Sequence, residues 1–391
     1  MKFELSKSNL EIFLLIIVYV IMWLPIQDIS FIGYLDEIFT LVLLILLIFR
    51  LKINRENSIY IFSIIGFLLI GIVSTIKSEV PQSNIARLLD CFALIKLPTV
   101  FLYFRYVYSN TKVNKVINIL LFLSKIVVIV SSIFGIANLF LDFGMSYDYR
   151  YGLRSFKFFY NNPGTFVALM SVCFSIINLK KNRLSILFKI LIVFNLLITL
   201  RSVAFGIVLL ILLLPIIIKK GLKLYQILLT IPFIVFAGYS AISNYFIEQV
   251  TPRSILLKYG ILVAKRFFPF GSGFATYGSN AARDYYSTLY YEFGFNKVWG
   301  LSPQAGHILN DNFWPMIIAQ FGLLGLSFYL VFIFAILKPL FNKKLRKNSI
   351  VSGIILLSFL IISSLGANVV TGVLGVLIII PYSLIINEKE V

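Results

Sequence analysis

The sequence is poor in the residues that usually bind metals. It has one histidine, His307, and two cysteines, Cys91 and Cys173, among 391 residues. Both cysteines lie inside long apolar runs, which predicts buried thiols rather than a disulfide. The chain also lacks an HExxH motif, a Cys/His cluster and a DxD pair in its longer polar segments. We therefore expect neither a metal site nor a cofactor.

Charged residues are scarce as well. Only 13% of the residues are charged, about half the usual share of a soluble domain. In contrast, 60% are hydrophobic and the mean hydropathy is +0.96. Many runs reach the roughly 20 apolar residues that a membrane-spanning helix needs. We predict an all-α, polytopic transmembrane protein that forms a single domain over residues 1–391.

The net charge of +19 raises nucleic-acid binding as an alternative. Most lysines and arginines, however, stand in short clusters between apolar runs, as they do in the cytoplasmic loops of membrane proteins. This distribution predicts no nucleic-acid partner and places both termini in the cytoplasm. The first apolar run resembles a signal sequence but lacks a small-residue cleavage site, which predicts an uncleaved first helix.

The apolar runs predict about twelve spans. Their approximate bounds are 10–26, 32–49, 58–76, 85–105, 116–140, 164–179, 184–200, 202–218, 222–241, 306–337, 349–365 and 367–387. Two long outer loops follow from this topology, at 141–163 and 242–305. The second loop is rich in Tyr, Phe and Trp, which argues against disorder, and it begins with apolar residues at helical spacing. We expect it to contain short helices, the first of which could lie on the membrane surface.

Arginines are the first candidates for function, because topology does not require positive charge on the outer side. Those predicted to lie there are Arg150, Arg154, Arg201, Arg253, Arg266 and Arg283. The planar guanidinium is suited to phosphate oxygens, so several of them would fit a lipid-linked pyrophosphate. Arg201 and Arg253 are the leading candidates, and Arg154 and Arg266 come next. The alternative is that these arginines are solvated or face lipid headgroups.

His307 and Asp311 are candidate catalytic residues. They stand four residues apart, on one face of a predicted helix, and a histidine beside a carboxylate can take a proton from a hydroxyl near neutral pH. A hydrogen-bonded surface histidine is the alternative. Asp36 and Glu37 would be costly in lipid, and we favour a structural ion pair there over catalytic carboxylates.

Aromatic residues of the second outer loop are candidates for glycan binding. Tyr277, Tyr285 and Tyr290 could stack on sugar rings, although such tyrosines more often anchor loops at the membrane interface. They follow or close the segment PFGSGFATYG, which has no nucleotide-binding pattern and predicts a tight turn.

Four segments carry a family resemblance. They are YRYGLRSFKFFYNNPG, LLITLRSVAF, RSILLKYGILVAKRFFPFGSGFATYG and GHILNDNFWPMIIAQFGLLGL. In order and spacing they resemble the O-antigen polymerase and ligase superfamily of bacterial envelope glycan enzymes. The first looks like its arginine-bearing loop ending in Asn-Pro, and the last is similar to its His-Asn element and following helix. Ile308 follows His307 directly, where the ligase pattern has asparagine.

The resemblance implies a metal-independent glycosyltransferase at the outer face of the bacterial inner membrane. Its donor would be a glycan on a polyprenyl pyrophosphate, and its acceptor the next lipid-linked repeat unit. The implied partners are these oligosaccharide substrates and membrane lipids, together with a chain-length regulator and a flippase. The arginines would then stabilise the leaving pyrophosphate, and His307 or Asp311 would act as the base.

Three other functions compete with this repeat-unit polymerase. A ligase would transfer the finished glycan to a lipid core. A flippase for lipid-linked oligosaccharides would have a cationic central cavity and short outer loops, unlike residues 242–305. A small-solute permease would have broken helices with polar residues at mid-membrane, and only Lys96 and Lys125 approach that pattern.

Overall fold

The structure is a computed structural model. It describes residues 7–25, 33–180, 182–218, 222–229, 251–306, 308–311 and 313–388, with isolated positions at 231, 232, 235, 239 and 243. The helices are α1 Lys7–Trp23, α2 Leu35–Arg50, α3 Ser58–Ser78, α4 Asn84–Leu102, α5 Asn110–Phe140, α6 Pro163–Ile177, α7 Arg183–Leu197, α8 Ser202–Ile217, α9 Leu224–Leu228, α10 Pro252–Arg266, α11 Asn280–Asp284, α12 Thr288–Glu292, α13 Phe313–Leu337, α14 Lys347–Ser364 and α15 Val373–Asn387. The chain is thus mostly helical.

Among the described residues, four helical segments are long and apolar enough to cross a membrane, namely Ser58–Ser78, Asn110–Phe140, Phe313–Phe341 and Lys347–Ser364. Shorter apolar helices cover Asn9–Trp23, Pro163–Ile177, Ser202–Ile217 and Val373–Asn387. Several helices expose large apolar side chains, among them Phe62, Phe122 and Phe334, as helices in contact with lipid do. These features agree with a membrane protein. The twelve-span topology stays a prediction, and eight of the 20 residues of its ninth span, 222–241, lie outside the described residues.

The first predicted outer loop contains a β hairpin, which the all-α prediction missed. Strand β1, Ser146–Arg150, pairs antiparallel with β2, Leu153–Phe156. Tyr151 and Gly152 form the two-residue turn and both have positive φ, at 53° and 76°. This is the backbone that two-residue hairpin loops need, and glycine supplies it without steric cost.

The segment 267–278 is inserted between α3 and α13. The backbone N–H groups of Ser272 and Gly273 donate to the carbonyls of Ala319 and Gln320 at 2.9 and 2.8 Å. The helix α13 is interrupted at Gly322, which has φ +59°, and a Cβ there would lie 2.3 Å from the carbonyl oxygen of Pro269. Glycine is therefore required because two backbone segments meet at this point.

The helices pack around one large apolar core. The α14 helix lies at its centre, in contact with α6, α8 and α15, and most of its residues are buried. Residues 251–311 have a second apolar core, which includes Leu256, Val263 and Phe295. We call the end of the bundle that carries the hairpin and residues 251–311 the loop face.

Candidate functional site

A cavity of about 380 Å³ opens at the loop face, and we call it the basic cavity. Three arginines from separate parts of the chain line it. Arg150 ends strand β1, Arg201 precedes α8, and Arg253 lies in the first turn of α10. The structure thus brings together the two leading arginine candidates. Arg150 was among the predicted outer arginines but not among the predicted site residues.

Four helices begin at the wall of the basic cavity. Residues of the first turns of α6, α8, α10 and α15 line it, together with the end of α14. The first backbone N–H groups of a helix lack intrahelical partners, and the helix dipole makes this end positive. Two of the four helices, α8 and α15, have no side-chain cap at Arg201 and Gly372. The wall therefore combines guanidinium groups with positive helix ends, the arrangement that binds phosphate in many proteins.

Asp148 of the hairpin holds two of these arginines. Arg150 Nε donates to Asp148 Oδ2 at 2.9 Å, and Arg201 Nη2 lies 3.4 Å from both carboxylate oxygens. Partial burial raises the pKa of Asp148, but the hydrogen bond from Arg150 and the charge of Arg201 outweigh this effect, and the pKa is lowered. The carboxylate therefore stays ionised at neutral pH and can fix both guanidinium groups.

Arg201 shares the single carboxylate of Asp148 with Arg150, so the two guanidinium groups together keep a net positive charge. Its guanidinium lies 4.8 Å from the ring centre of Tyr147, and its Nε is buried without a hydrogen-bond partner among the described residues. Burial, and then the charge of Arg150, lower the pKa of Arg201. A buried donor left unpaired costs about 1–3 kcal/mol. An anion in the basic cavity would offset this cost.

Arg253 is held by Asp311, the second predicted catalytic residue. Its Nη2 donates to Asp311 Oδ2 at 2.7 Å, and the two side chains are 36% and 27% exposed. The helix that carries Arg253 begins with a capping box of Thr251 and Ser254, followed by Pro252 at its first position, which fixes its start. Asp311 is thus placed to position Arg253. His307 lies outside the described residues.

The other two predicted arginines do not reach the basic cavity. Arg266 ends α10, thirteen residues after Arg253 and so about 20 Å along the helix, where it pairs with exposed Glu292 at 2.5 Å. Arg154 lies on β2, and its Nε donates to the hydroxyl of Tyr149 at 2.9 Å. Neither is among the residues that line the cavity.

The prediction of glycan-binding tyrosines needs correction for two of the three. Tyr277 and Tyr290 are fully buried. The Tyr277 hydroxyl donates to the carbonyl of Leu256 at 2.6 Å, and the Tyr290 hydroxyl accepts from the N–H of Gly278 at 2.7 Å. Both stabilise the second apolar core, and neither ring is open to a sugar. Tyr285 is 42% exposed and lines another cavity.

That second cavity, of about 340 Å³, contains several carboxylates, and we call it the acidic cavity. Its ionisable residues are Asp36, Glu37, Asp90, Lys96 and Asp284. Lys96 donates to Asp36 at 2.8 Å and also contacts Glu37. Asp36 and Lys96 are almost fully buried, in agreement with the structural ion pair favoured from the sequence. Asp90, within a predicted span, was a further signal that the sequence interpretation did not use.

A row of cavities connects the basic cavity with an apolar groove. Asn162, Thr165 and Leu374 line both the basic cavity and a small cavity of about 120 Å³. Trp23 and Tyr160 line both this small cavity and a groove of about 210 Å³ between α1, α5 and α6. The groove is lined almost entirely by apolar side chains. The row therefore changes from charged to apolar along its length, as does a lipid with an anionic headgroup.

Within the described part of the chain, no group of three or more His, Cys, Asp or Glu residues could hold a metal ion. No protein-family model, curated protein or solved structure matches the sequence.

Proposed function

We propose that this protein is a polysaccharide repeat-unit polymerase of the bacterial inner membrane. It transfers a glycan from a polyprenyl pyrophosphate to a lipid-linked repeat unit. One observation carries the proposal. Three arginines and the first turns of four helices line a single cavity at the loop face. This arrangement suits a pyrophosphate, whose charge increases as the glycosidic bond to it breaks.

The row of cavities supports a lipid-linked substrate rather than a soluble phosphate. A pyrophosphate in the basic cavity would have its polyprenyl chain directed past Asn162 and Tyr160 into the apolar groove. In this proposal the loop face is extracytoplasmic, the shorter apolar helices also cross the membrane, and the chain has the predicted twelve spans with both termini in the cytoplasm.

The reaction forms one glycosidic bond and breaks one. A hydroxyl oxygen of the acceptor attacks the anomeric carbon of the donor sugar, and the bond from that carbon to the pyrophosphate oxygen breaks. The electron pair leaves with the polyprenyl pyrophosphate, and the hydroxyl proton passes to a base. Arg201 and Arg253 stabilise the leaving group, and Arg150 contributes a third positive charge.

Asp311 acts on this reaction through Arg253. One of its carboxylate oxygens is already bound by the guanidinium at 2.7 Å, so its role is to fix the direction of that group. His307 remains the sequence-based candidate for the base. A histidine is suited to this role because its ordinary pKa of about 6.5 lies near neutral pH.

The proposal is tested by complementing a strain that lacks this gene. Surface polysaccharide is separated on a gel after expression of the wild type, Arg201→Ala or Arg266→Ala. We expect the wild type and Arg266→Ala to restore a ladder of repeat units, because Arg266 lies outside the basic cavity. We expect Arg201→Ala to leave single repeat units. Equal ladders from Arg201→Ala and the wild type would refute the role of the cavity.

The same gel distinguishes the alternatives. If the deletion strain attaches not even one repeat unit to its lipid core, the protein is a ligase or a flippase. The purified protein in nanodiscs distinguishes a polymerase from a ligase or a flippase, because a polymerase given only lipid-linked repeat units should extend them. Failure to extend them under these conditions would contradict the proposal.

A further inference from the structure

The acidic cavity lies next to the basic cavity. Val369 and Leu374 line the basic cavity, whereas Thr371, Gly372 and Val373, which lie between them in sequence, line the acidic cavity. The short connection between α14 and α15 therefore forms part of the wall of both cavities. A sugar chain held in the acidic cavity could extend across this connection to a donor in the basic cavity.

The lining of the acidic cavity differs from that expected for an anion site. It contains four carboxylates, from Asp36, Glu37, Asp90 and Asp284, and one lysine. An ionised carboxylate accepts hydrogen bonds at about four lone-pair positions. Asp90 receives the N–H of Ala275 at 2.6 Å and Asp284 receives Nε of Arg283 at 2.7 Å. Asp90 is almost fully buried, whereas the Asp284 side chain is 55% exposed and retains acceptor capacity beyond this contact.

Glu37 lines the same cavity, and its side chain is 34% exposed. Its Oε1 is bound by Lys96, but its Oε2 is buried and has no hydrogen-bond partner in the described part of the chain. A buried acceptor without a donor is costly. The missing partner is a donor group, such as a hydroxyl. A divalent cation fits less well, because the described residues provide no cluster of three ligands for a metal.

Tyr285 provides an aromatic surface at the same cavity. It follows α11 in the loop face, and its side chain remains 42% exposed. Unlike Tyr277 and Tyr290, it can therefore present its ring to a ligand. Aromatic faces combined with a few convergent polar groups are typical of sites for small polar ligands with apolar faces, and a sugar ring with its C–H face and hydroxyls is such a ligand.

We propose that the acidic cavity binds the sugars of the acceptor chain, with Glu37 and Asp284 accepting hydrogen bonds from hydroxyls and Tyr285 stacking on a ring. This inference rests on the proposed polymerase function and specifies where its second substrate binds. Lys96, which is buried and bound to Asp36, holds Glu37 in place without contacting the sugar.

The probe for the test is the repeat-unit oligosaccharide that accumulates in the deletion strain, released from its lipid by mild acid. It lacks both phosphate and lipid, so it reports the sugar site alone. Its Kd is measured by calorimetry on the full chain in nanodiscs. We expect Tyr285→Ala and Glu37→Gln each to weaken binding about tenfold, because the first removes a stacking surface and the second removes one hydrogen-bond acceptor.

Matched variants separate binding from folding. Tyr291→Ala removes another exposed tyrosine of the loop face that lines neither cavity, and it should bind like the wild type. Tyr285→Phe keeps the ring and should retain most of the affinity. Arg201→Ala should leave the oligosaccharide Kd unchanged. All variants are first compared with the wild type by thermal unfolding.

The outcomes distinguish this inference from the function on which it rests. Wild-type affinity in both Tyr285→Ala and Glu37→Gln, or a loss of affinity only in Arg201→Ala, would overturn the acidic cavity as the acceptor site, even if the protein polymerises repeat units. If the oligosaccharide binds through Tyr285 and Glu37 but no polymer forms, the sugar site stands and the polymerase function falls.

Discussion

The contact between Arg253 and Asp311 allows a quantitative test of how the site works. The two side chains meet at 2.7 Å and are 36% and 27% exposed. An ion pair that is exposed to this degree contributes only about 0.2–1 kcal/mol to stability, so variants of either residue should fold. Loss of one preorganised cation at a developing charge, by contrast, costs about 2.7–4 kcal/mol in the transition state. Arg253→Ala should therefore lower kcat by about 10²–10³.

Asp311→Asn distinguishes positioning from proton transfer. The asparagine has nearly the same shape but loses the charge that fixes Arg253, a change that we expect to lower kcat by roughly tenfold, in line with a hydrogen bond to a charged group. If Asp311 acts only through Arg253, the double variant should be no slower than Arg253→Ala alone. A general base would instead contribute a factor of about 10²–10⁴, which would multiply in the double variant.

The assay is extension of purified lipid-linked repeat units by protein in nanodiscs, with kcat and KM measured for all four members of the cycle. Arg266→Ala and Glu292→Gln form a control pair, because this exposed ion pair lies at the other end of the same helix. They should leave kcat unchanged. Multiplicative losses for Arg253→Ala and Asp311→Asn, or an altered acid limb of the pH–rate profile in Asp311→Asn, would refute the positioning role.

Three further predictions concern stability and pH. Gly273→Ala should lower the free energy of unfolding by about 1–3 kcal/mol more than Gly294→Ala does. Both glycines have positive φ, but only at Gly273 would an added Cβ meet backbone, at 2.5 Å. Thermal unfolding in detergent measures the difference, and equal losses of stability would contradict it. Lys96→Met should lower the free energy of unfolding by about 3–5 kcal/mol, because it leaves the buried carboxylate of Asp36 unpaired; an unchanged melting temperature would contradict this. The pKa of Asp148 is lowered in the folded protein. Its stabilising contact is therefore complete above the unfolded pKa of about 3.9 and is lost only as the pH falls through the lower folded value. Asp148→Asn and the wild type should therefore have pH–rate profiles of the same shape above pH of about 5, and a missing limb in the variant would contradict this.

Helices were the part of the fold that the sequence could predict. The predicted run 58–76 corresponds to Ser58–Ser78, and 349–365 to Lys347–Ser364. Long apolar runs are reliable because a helix satisfies its own backbone hydrogen bonds, whatever surrounds it. The run 306–337 was less accurate, since its helix begins at Phe313 and is interrupted at Gly322. That break depends on a contact with the distant Pro269, which no local pattern contains.

The hairpin could have been recognised from its turn. The dipeptide Tyr151-Gly152 stands between SYDYR and LRSF, and a glycine in a two-residue loop between short segments rich in β-forming residues is a hairpin signal. The interpretation of residues 141–163 as a loop gave this signal no weight. As a result, Asp148 was not recognised as the residue that holds both Arg150 and Arg201.

Part of the candidate site could be predicted, because charged residues are few in an apolar chain and are therefore candidates for function. Arg201 and Arg253 were conspicuous, since arginines at a membrane surface are costly without a partner. The sequence could not separate them from Arg266, because helical spacing does not reveal which end of α10 faces a cavity. Nor could it separate Tyr285 from the buried Tyr277, because both are tyrosines in the same segment and only tertiary packing decides which ring is open.

The most direct test of the account is the affinity of the protein for polyprenyl pyrophosphate. The Kd values of polyprenyl pyrophosphate, polyprenyl phosphate and uncharged polyprenol are measured with the protein in nanodiscs. The measurements compare the wild type with Arg201→Ala, Arg253→Ala and Arg266→Ala. We expect the pyrophosphate to bind most tightly, the first two substitutions to weaken it by about tenfold each, and Arg266→Ala to bind it like the wild type. Equal affinity for polyprenol, or equal losses in all three arginine variants, would contradict the assignment of the basic cavity as the pyrophosphate site.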